Sequence, residues 1–260
     1  MYISVIINKK KALFMLAMVI VAALVLTISL TGLPSKFVEV TAPGERKVPI
    51  YYVETPEKKV AFSFDASWGA ERTPDILENL REHDIKTTYF VTGFWVEEYP
   101  ELVEKIAEEG HELGNHTTTH PQMSQLSEKE IQEEVQKVEE MIYEITGDRT
   151  TLFRPPFGDY NNTVISTLEE MDYQVIQWSI DSLDWKNISK EALVERVTGR
   201  EHWGAIILFH NDGLNTPQAL PEIIKYYREN DYEIVPVSEL IYRENYEICP
   251  HTGAQMPQEE

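Results

Sequence analysis

Val60-Ala61-Phe62-Ser63-Phe64-Asp65 is a short apolar run that ends on a carboxylate. The turn signals of Thr55-Pro56-Glu57-Lys58-Lys59 precede it, so it reads as a buried strand of a parallel sheet. The same design recurs downstream. Residues 87–91 form a strand, and a short strand at 112–114 leads to His116. Leu152-Phe153 leads to Arg154, residues 173–180 lead to Asp181, and residues 205–209 lead to His210. Residues 233–237 add a last strand. Helical segments fall between them. Thr73 caps the first, with Pro74 in its first position and Ile76, Leu77 and Leu80 as its apolar stripe. Residues 100–109 form the second, stopped by Gly110. Ser127 and Glu130 make a capping box that opens a third, ended by Gly147. Residues 163–171, 189–197, 217–230 and 238–242 complete the set. This alternation predicts parallel strands under covering helices, about six or seven units that point to a β/α barrel, complete or incomplete. Chemistry in such barrels gathers at the carboxyl ends of the strands. Asp65, His116, Arg154, Asp181 and His210 all fall there.

The chain of 260 residues suits one sizeable core. Its formal charge of −21 argues against a nucleic-acid partner, which needs basic surface. Cys249 is the only cysteine, so there is no intrachain disulfide and no cysteine-based metal site. Lys9, Lys10 and Lys11 precede an uncharged apolar run over 12–33. That run is long enough for a bilayer, which needs about 20 residues. The lysines favour a cytoplasmic amino end. A cleaved signal peptide is the alternative, but Leu30-Thr31-Gly32-Leu33-Pro34 is a poor cleavage site. The expected organisation is a cytoplasmic amino terminus (1–11), a transmembrane signal-anchor (12–33), a linker with a short β piece (34–57), a catalytic domain (58–242) and a polar, disordered tail (243–260). The domain is expected on the extracytoplasmic face of a bacterial cell.

Asn115-His116-Thr117-Thr118-Thr119-His120 places two imidazoles four residues apart. A helical turn would put both on one face, a geometry that suits a divalent ion. Alone, such a pair is more often a coincidence of a polar surface. Each other residue also has a plain structural reading. Asp65 can cap a loop, Arg154 can form a surface ion pair, Trp185 can be core, and His210 can be a satisfied core histidine. His83, His111, His202 and His251 have no motif around them and read as structural or surface residues.

Taken in order, five segments carry a resemblance. They are Phe64-Asp65-Ala66-Ser67-Trp68-Gly69, Asn115 to His120, Arg154-Pro155-Pro156-Phe157-Gly158, Asp181-Ser182-Leu183-Asp184-Trp185 and Leu208-Phe209-His210. Together they resemble the five motifs of the polysaccharide deacetylases, the NodB-homology domain of carbohydrate esterase family 4. The likeness covers about residues 60–240, is closest to sporulation-type and peptidoglycan-type members, and implies that family's fold, a distorted or incomplete (β/α)7-type barrel. It implies hydrolysis of N-acetyl groups from amino sugars of a cell-wall glycan, leaving an amine and acetate. It implies a divalent metal on His116 and His120, zinc first, with cobalt, nickel or manganese as alternatives. It implies Asp65 as general base, oriented by Arg154, and His210 as general acid, tuned by Asp184. The oxyanion would meet the backbone N–H of Phe157, after Pro156. Trp185 and Leu208 would line the pocket for the acetyl methyl.

The sequence departs from the family at Ala66, where a second acid usually supplies the third metal ligand. Glu71 on the following loop is the first candidate to replace it, and Asp65 itself can shift onto the ion. Two further readings stay open: a glycan-binding domain without turnover, and a polysaccharide O-acetyl esterase. The protein is expected to be a monomer held at the membrane by its amino-terminal helix.

Overall fold

The computed structural model describes residues 46–258. The expected anchor over 12–33 and the cytoplasmic segment over 1–11 lie outside the described residues. Among the described residues, no helix is long and apolar enough to cross a membrane.

The quoted stretch is the centre of the larger sheet. It forms β2 (Lys59–Ala66), buried from Val60 to Ala66. It pairs in parallel with β3 (Thr88–Val91), β8 (Ile206–His210) and β9 (Glu233–Val235). Outward from β3 lie β4 (Glu112–Asn115), β5 (Leu152–Phe153) and β6 (Gln174–Val175). Outward from β8 lies β7 (Ile180–Asp181). Every ladder in this sheet is parallel. The unbroken apolar character of β2 follows, because both its faces are covered. Phe64 stacks on Tyr89 at 4.9 Å and on Phe209 at 5.3 Å. Each such fully buried side chain contributes about 1.5–3 kcal/mol.

The sheet is an open half-barrel. β6 and β7 are its two edges, and no ladder joins them among the described residues. Yet only residues 176–179 separate them in the chain, and the five steps from Val175 to Ile180 reach at most ~18 Å. The two edges therefore curl toward each other. The single strand expected over 173–180 is split for this reason. Ile176 N–H bonds to Phe153 O, Gln177 N–H to Ile50 O, and Ser179 N–H to Ile206 O. The chain changes partner twice while it crosses the gap, from Phe153 to Ile50 and then to Ile206.

The tail expected to be disordered, over 243–260, is ordered in its described part, residues 243–258. β10 (Tyr246–Ile248) and β11 (Ala254–Pro257) form a hairpin, and β11 pairs in parallel with β1 (Tyr52–Val53). Its polar composition hides the anchor point. Gln255 is fully buried, and its side chain accepts from Tyr242 N–H at 2.8 Å and donates to Tyr242 O at 2.8 Å.

The helices lie close to where the sequence puts them. α1 (Thr73–Glu82) begins at Thr73 itself, so Arg72 holds the cap position and no side chain caps it. α2 (Gly93–Glu98) and α3 (Pro100–Glu108) follow β3. α4 (Glu128–Thr146) has the complete capping box of Ser127 and Glu130, and Gly147 ends it at φ 78°. α5 (Asn162–Glu170), α6 (Lys190–Thr198), α7 (Thr216–Glu229) and α8 (Val237–Leu240) complete the described helices.

Candidate active site

Asp65, the last residue but one of β2, lies directly opposite His210 on β8. Its carboxylate is 7% exposed. Arg154, fully buried, donates from Nη1 to Asp65 Oδ1 at 2.8 Å. Its Nη2 donates to Ser63 Oγ at 2.9 Å and to Gln177 O at 3.2 Å. The guanidinium also lies over the Phe90 ring at 4.1 Å. Burial pushes the Asp65 carboxyl up, but Arg154, His116 and His210 outweigh it and hold the group below the usual range. Asp65 is therefore an ionised acceptor at neutral pH.

His116 and His120 meet, with ring centroids 5.0 Å apart. The segment between them is a loop and not the helical turn expected, with φ of 71° at Thr117 and 58° at His120. Two side chains fix it. Asn115 Oδ1 accepts from Thr117 N–H at 2.9 Å, and its Nδ2 donates to Val135 O at 2.9 Å. Glu134, on α4, accepts from the N–H groups of Thr118 and Thr119 and from the Thr119 hydroxyl. His116 Nδ1 donates to Arg154 O at 2.6 Å, which leaves the Nε2 lone pair 3.6 Å from Asp65 Oδ2. His120 Nδ1 is buried without a partner. Burial, then the neighbouring His116, push His120 down to about 4. Burial lowers His116 as well. Both rings are neutral at pH 7, the form that ligates.

His210 is built differently. Its Nδ1 donates to Asp184 Oδ1 at 2.7 Å, and its backbone N–H to Asp184 Oδ2 at 2.9 Å. Asp184 also accepts from Thr216 Oγ1 at 2.8 Å and from Trp185 N–H at 2.9 Å. Gly213 keeps this cradle open. A Cβ there would lie 2.1 Å from Thr216 Oγ1 and 2.6 Å from Asp184 Oδ2. Burial lowers the His210 pKa, but the bond and charge of Asp184 outweigh it and leave it raised. A proton donor thus stands beside a proton acceptor at adjacent strand ends.

Asp65, His116, His210 and Trp185 line one cavity of about 230 Å³, together with Trp68 and Asp212. Phe157 has a left-handed φ of 60°, uncommon for a residue with a Cβ, and its ring lies 4.4 Å from that of His120. Pro156 precedes it and is buried. Leu208 is buried on the pleat below His210. Asp181 acts locally, its Oδ1 accepting from Leu183 N–H at 2.8 Å. Glu71 is not brought to the imidazoles. Its carboxylate accepts from Ala70 N–H at 3.2 Å and lies beside Asp212. Ala66 is fully buried in the main core cluster. Among the described residues, no group of three or more His, Cys, Asp or Glu is placed to hold an ion. The orphaned His120 nitrogen and the free His116 Nε2 fit a divalent ion held by two imidazoles. They do not make the usual three-ligand set.

Ser63, Asn115, Glu134 and Thr216 were not singled out from the sequence. Ser63 left a trace, as the one polar residue inside an apolar run. Glu134 left none, since it is one of many acids along a helix.

The model of the polysaccharide deacetylase family matches residues 52–176. The peptidoglycan-N-acetylmuramic acid deacetylase PdaA of Bacillus subtilis is 30% identical over 208 residues, 78% of this chain and 79% of that protein. The chain belongs to the polysaccharide deacetylase family. This polysaccharide deacetylase domain is also 35% identical over 153 residues to the peptidoglycan-N-acetylglucosamine deacetylase of Bacillus cereus, 59% of this chain and 56% of that protein. The chain spans 60%, 56% and 43% of the length of three curated relatives it matches. A solved structure of BA3943 from Bacillus anthracis, described as a CE4 family pseudoenzyme, superposes with a TM-score of 0.72 at 35% identity. It covers 74% of this chain and 68% of that one. A BA3943 mutant described as having restored enzymatic activity superposes equally well, with a TM-score of 0.72.

Proposed function

We propose that this polysaccharide deacetylase domain hydrolyses N-acetyl groups from amino sugars of a cell-wall glycan, peptidoglycan before others. The observation that carries this reading is the pairing of Asp65 with His210 across β2 and β8. One is held ionised by Arg154, and the other is held by Asp184 as a proton donor. Asp65 takes a proton from water as its oxygen attacks the acetamide carbon. The C–N bond then breaks, and His210 Nε2 delivers a proton to the departing amine, leaving acetate. The backbone N–H of Phe157 is the candidate donor to the oxyanion. His116 and His120 would hold a divalent ion, zinc before cobalt, nickel or manganese. When bound, such an ion supplies Lewis acidity toward the carbonyl and acidifies water. The natural setting we infer is a monomer anchored by residues 12–33 at the outer face of a bacterial membrane, next to its wall.

The test is acetate release from peptidoglycan fragments and from short N-acetylglucosamine oligomers, with zinc supplied. Release from either, lost in Asp65→Asn, supports the reading. No release from either, with metal supplied, overturns it. An O-acetylated glycan run alongside separates amide from ester hydrolysis.

A second reading is favoured by Ala66 and by the likeness to a structure described as a pseudoenzyme. In it the domain binds glycan without turnover. It predicts saturable binding that survives Asp65→Asn and chelator.

A further inference from the structure

The three most exposed large apolar side chains on the described surface are Phe157 at 66%, Trp68 at 61% and Trp185 at 55%. All three gather at one place. Trp68 and Trp185 line the cavity that holds Asp65, His116 and His210. Trp68 and Phe157 each meet the His120 ring edge to face, at 4.8 and 4.4 Å. Clustered exposed apolar area of this kind marks a contact surface. The motif resemblance gives roles to Phe157 and Trp185 and none to Trp68. Packing does not account for Trp68 either. Phe94 at 5.8 Å and His120 support its ring, and most of its surface still faces solvent.

The cavity is small. At about 230 Å³ it is below the ~300 Å³ at which sites begin to enclose a drug-sized ligand. It suits the one ring that carries the acetamide, so the next ring of a chain must lie on the rim. Trp68 is there. A flat indole face matches the C–H face of a pyranose ring. The hydroxyls around such a ring need polar partners, and Asn187 and Asp212 line the same cavity. A purely aliphatic occupant would leave those two groups facing apolar surface, at a cost.

We propose that Trp68 is a stacking platform for the sugar ring next to the one in the cavity, so that the site reads an N-acetylhexosamine chain and not a single sugar. The inference rests on the glycan reading above and holds whether or not the bound chain is hydrolysed.

The experiment is calorimetric titration of the full chain with N-acetylglucosamine, its dimer and its tetramer. The wild type should bind the longer chains more tightly than the monomer. Trp68→Ala should weaken tetramer binding roughly three- to tenfold more than it weakens monomer binding. Trp68→Phe, which keeps a smaller ring, should lose less. A tetramer-to-monomer affinity ratio as large in Trp68→Ala as in the wild type overturns the proposal while leaving the glycan reading intact. A wild type that binds none of the three overturns the proposal, and overturns the glycan reading with it if peptidoglycan fragments titrated alongside also fail to bind. Thermal midpoints of both variants verify folding; if the alanine variant unfolds, Trp68→Phe and Trp68→Gln carry the comparison.

Discussion

Asp184 accepts four hydrogen bonds, and two of them come from His210. Removing its charge should therefore lower the His210 pKa. A general acid acts while protonated, so activity is lost as pH rises through that pKa. Asp184→Asn should move the alkaline limb of the pH–rate profile to lower pH, and an unmoved limb would exclude His210 as the acid. Arg154 is the other decisive residue. Breaking a buried ion pair from one side leaves an unpaired charge, at a cost of about 3–5 kcal/mol. Arg154→Met should lower stability by that order in denaturant titration. Asp65→Asn, which keeps an acceptor for the guanidinium, should cost less. If Arg154→Met costs less than about 1 kcal/mol, the uncompensated charge is not what matters at this pair.

The loop between β4 and α4 shows what a linear reading can and cannot reach. The His116–His120 spacing is visible in the sequence, and so is the fact that β4 ends there. The conformation is not, because it depends on Glu134, which lies fourteen residues beyond His120 and binds three loop groups across space. Glu134→Ala should leave the fold intact and reduce metal uptake, read as bound zinc per chain after dialysis. Unchanged uptake would mean the loop holds itself. The strand ends at Asp65 and His210 were legible because apolar runs with sharp stops are local signals. The break at 176–179 was not, because the hydrogen bonds that split the run come from Ile50, Phe153 and Ile206, all distant in sequence. The carboxyl-terminal hairpin was hidden for a related reason: its key side chain, Gln255, is polar and yet fully buried. Local punctuation fared better. Ser127 and Glu130 form the box the sequence spells out, and Ser127→Ala should cost about 1 kcal/mol.

Across the whole molecule, buried histidines set the acid limit. His111 is far from the active-site motifs, and burial, then the charge of Lys86, push it down to about 4. His116 and His120 are depressed too, chiefly by burial. An unfolded imidazole binds its proton near ~6.5. Between that value and the lower folded values, the unfolded chain holds more protons, so stability is full above ~6.5 and falls as pH drops toward 4. His111→Gln should flatten the fall of the thermal midpoint across that window, and an unchanged slope would assign the effect to the other two. The pairing of β1 with β11 has a mechanical consequence. The strands run parallel, and one lies near the start of the described chain while the other lies near its end. Tension applied between residues 46 and 258 would load the Tyr52–Ala254 and Val53–Gln255 positions in shear, sliding the strands along each other instead of peeling them apart one bond at a time.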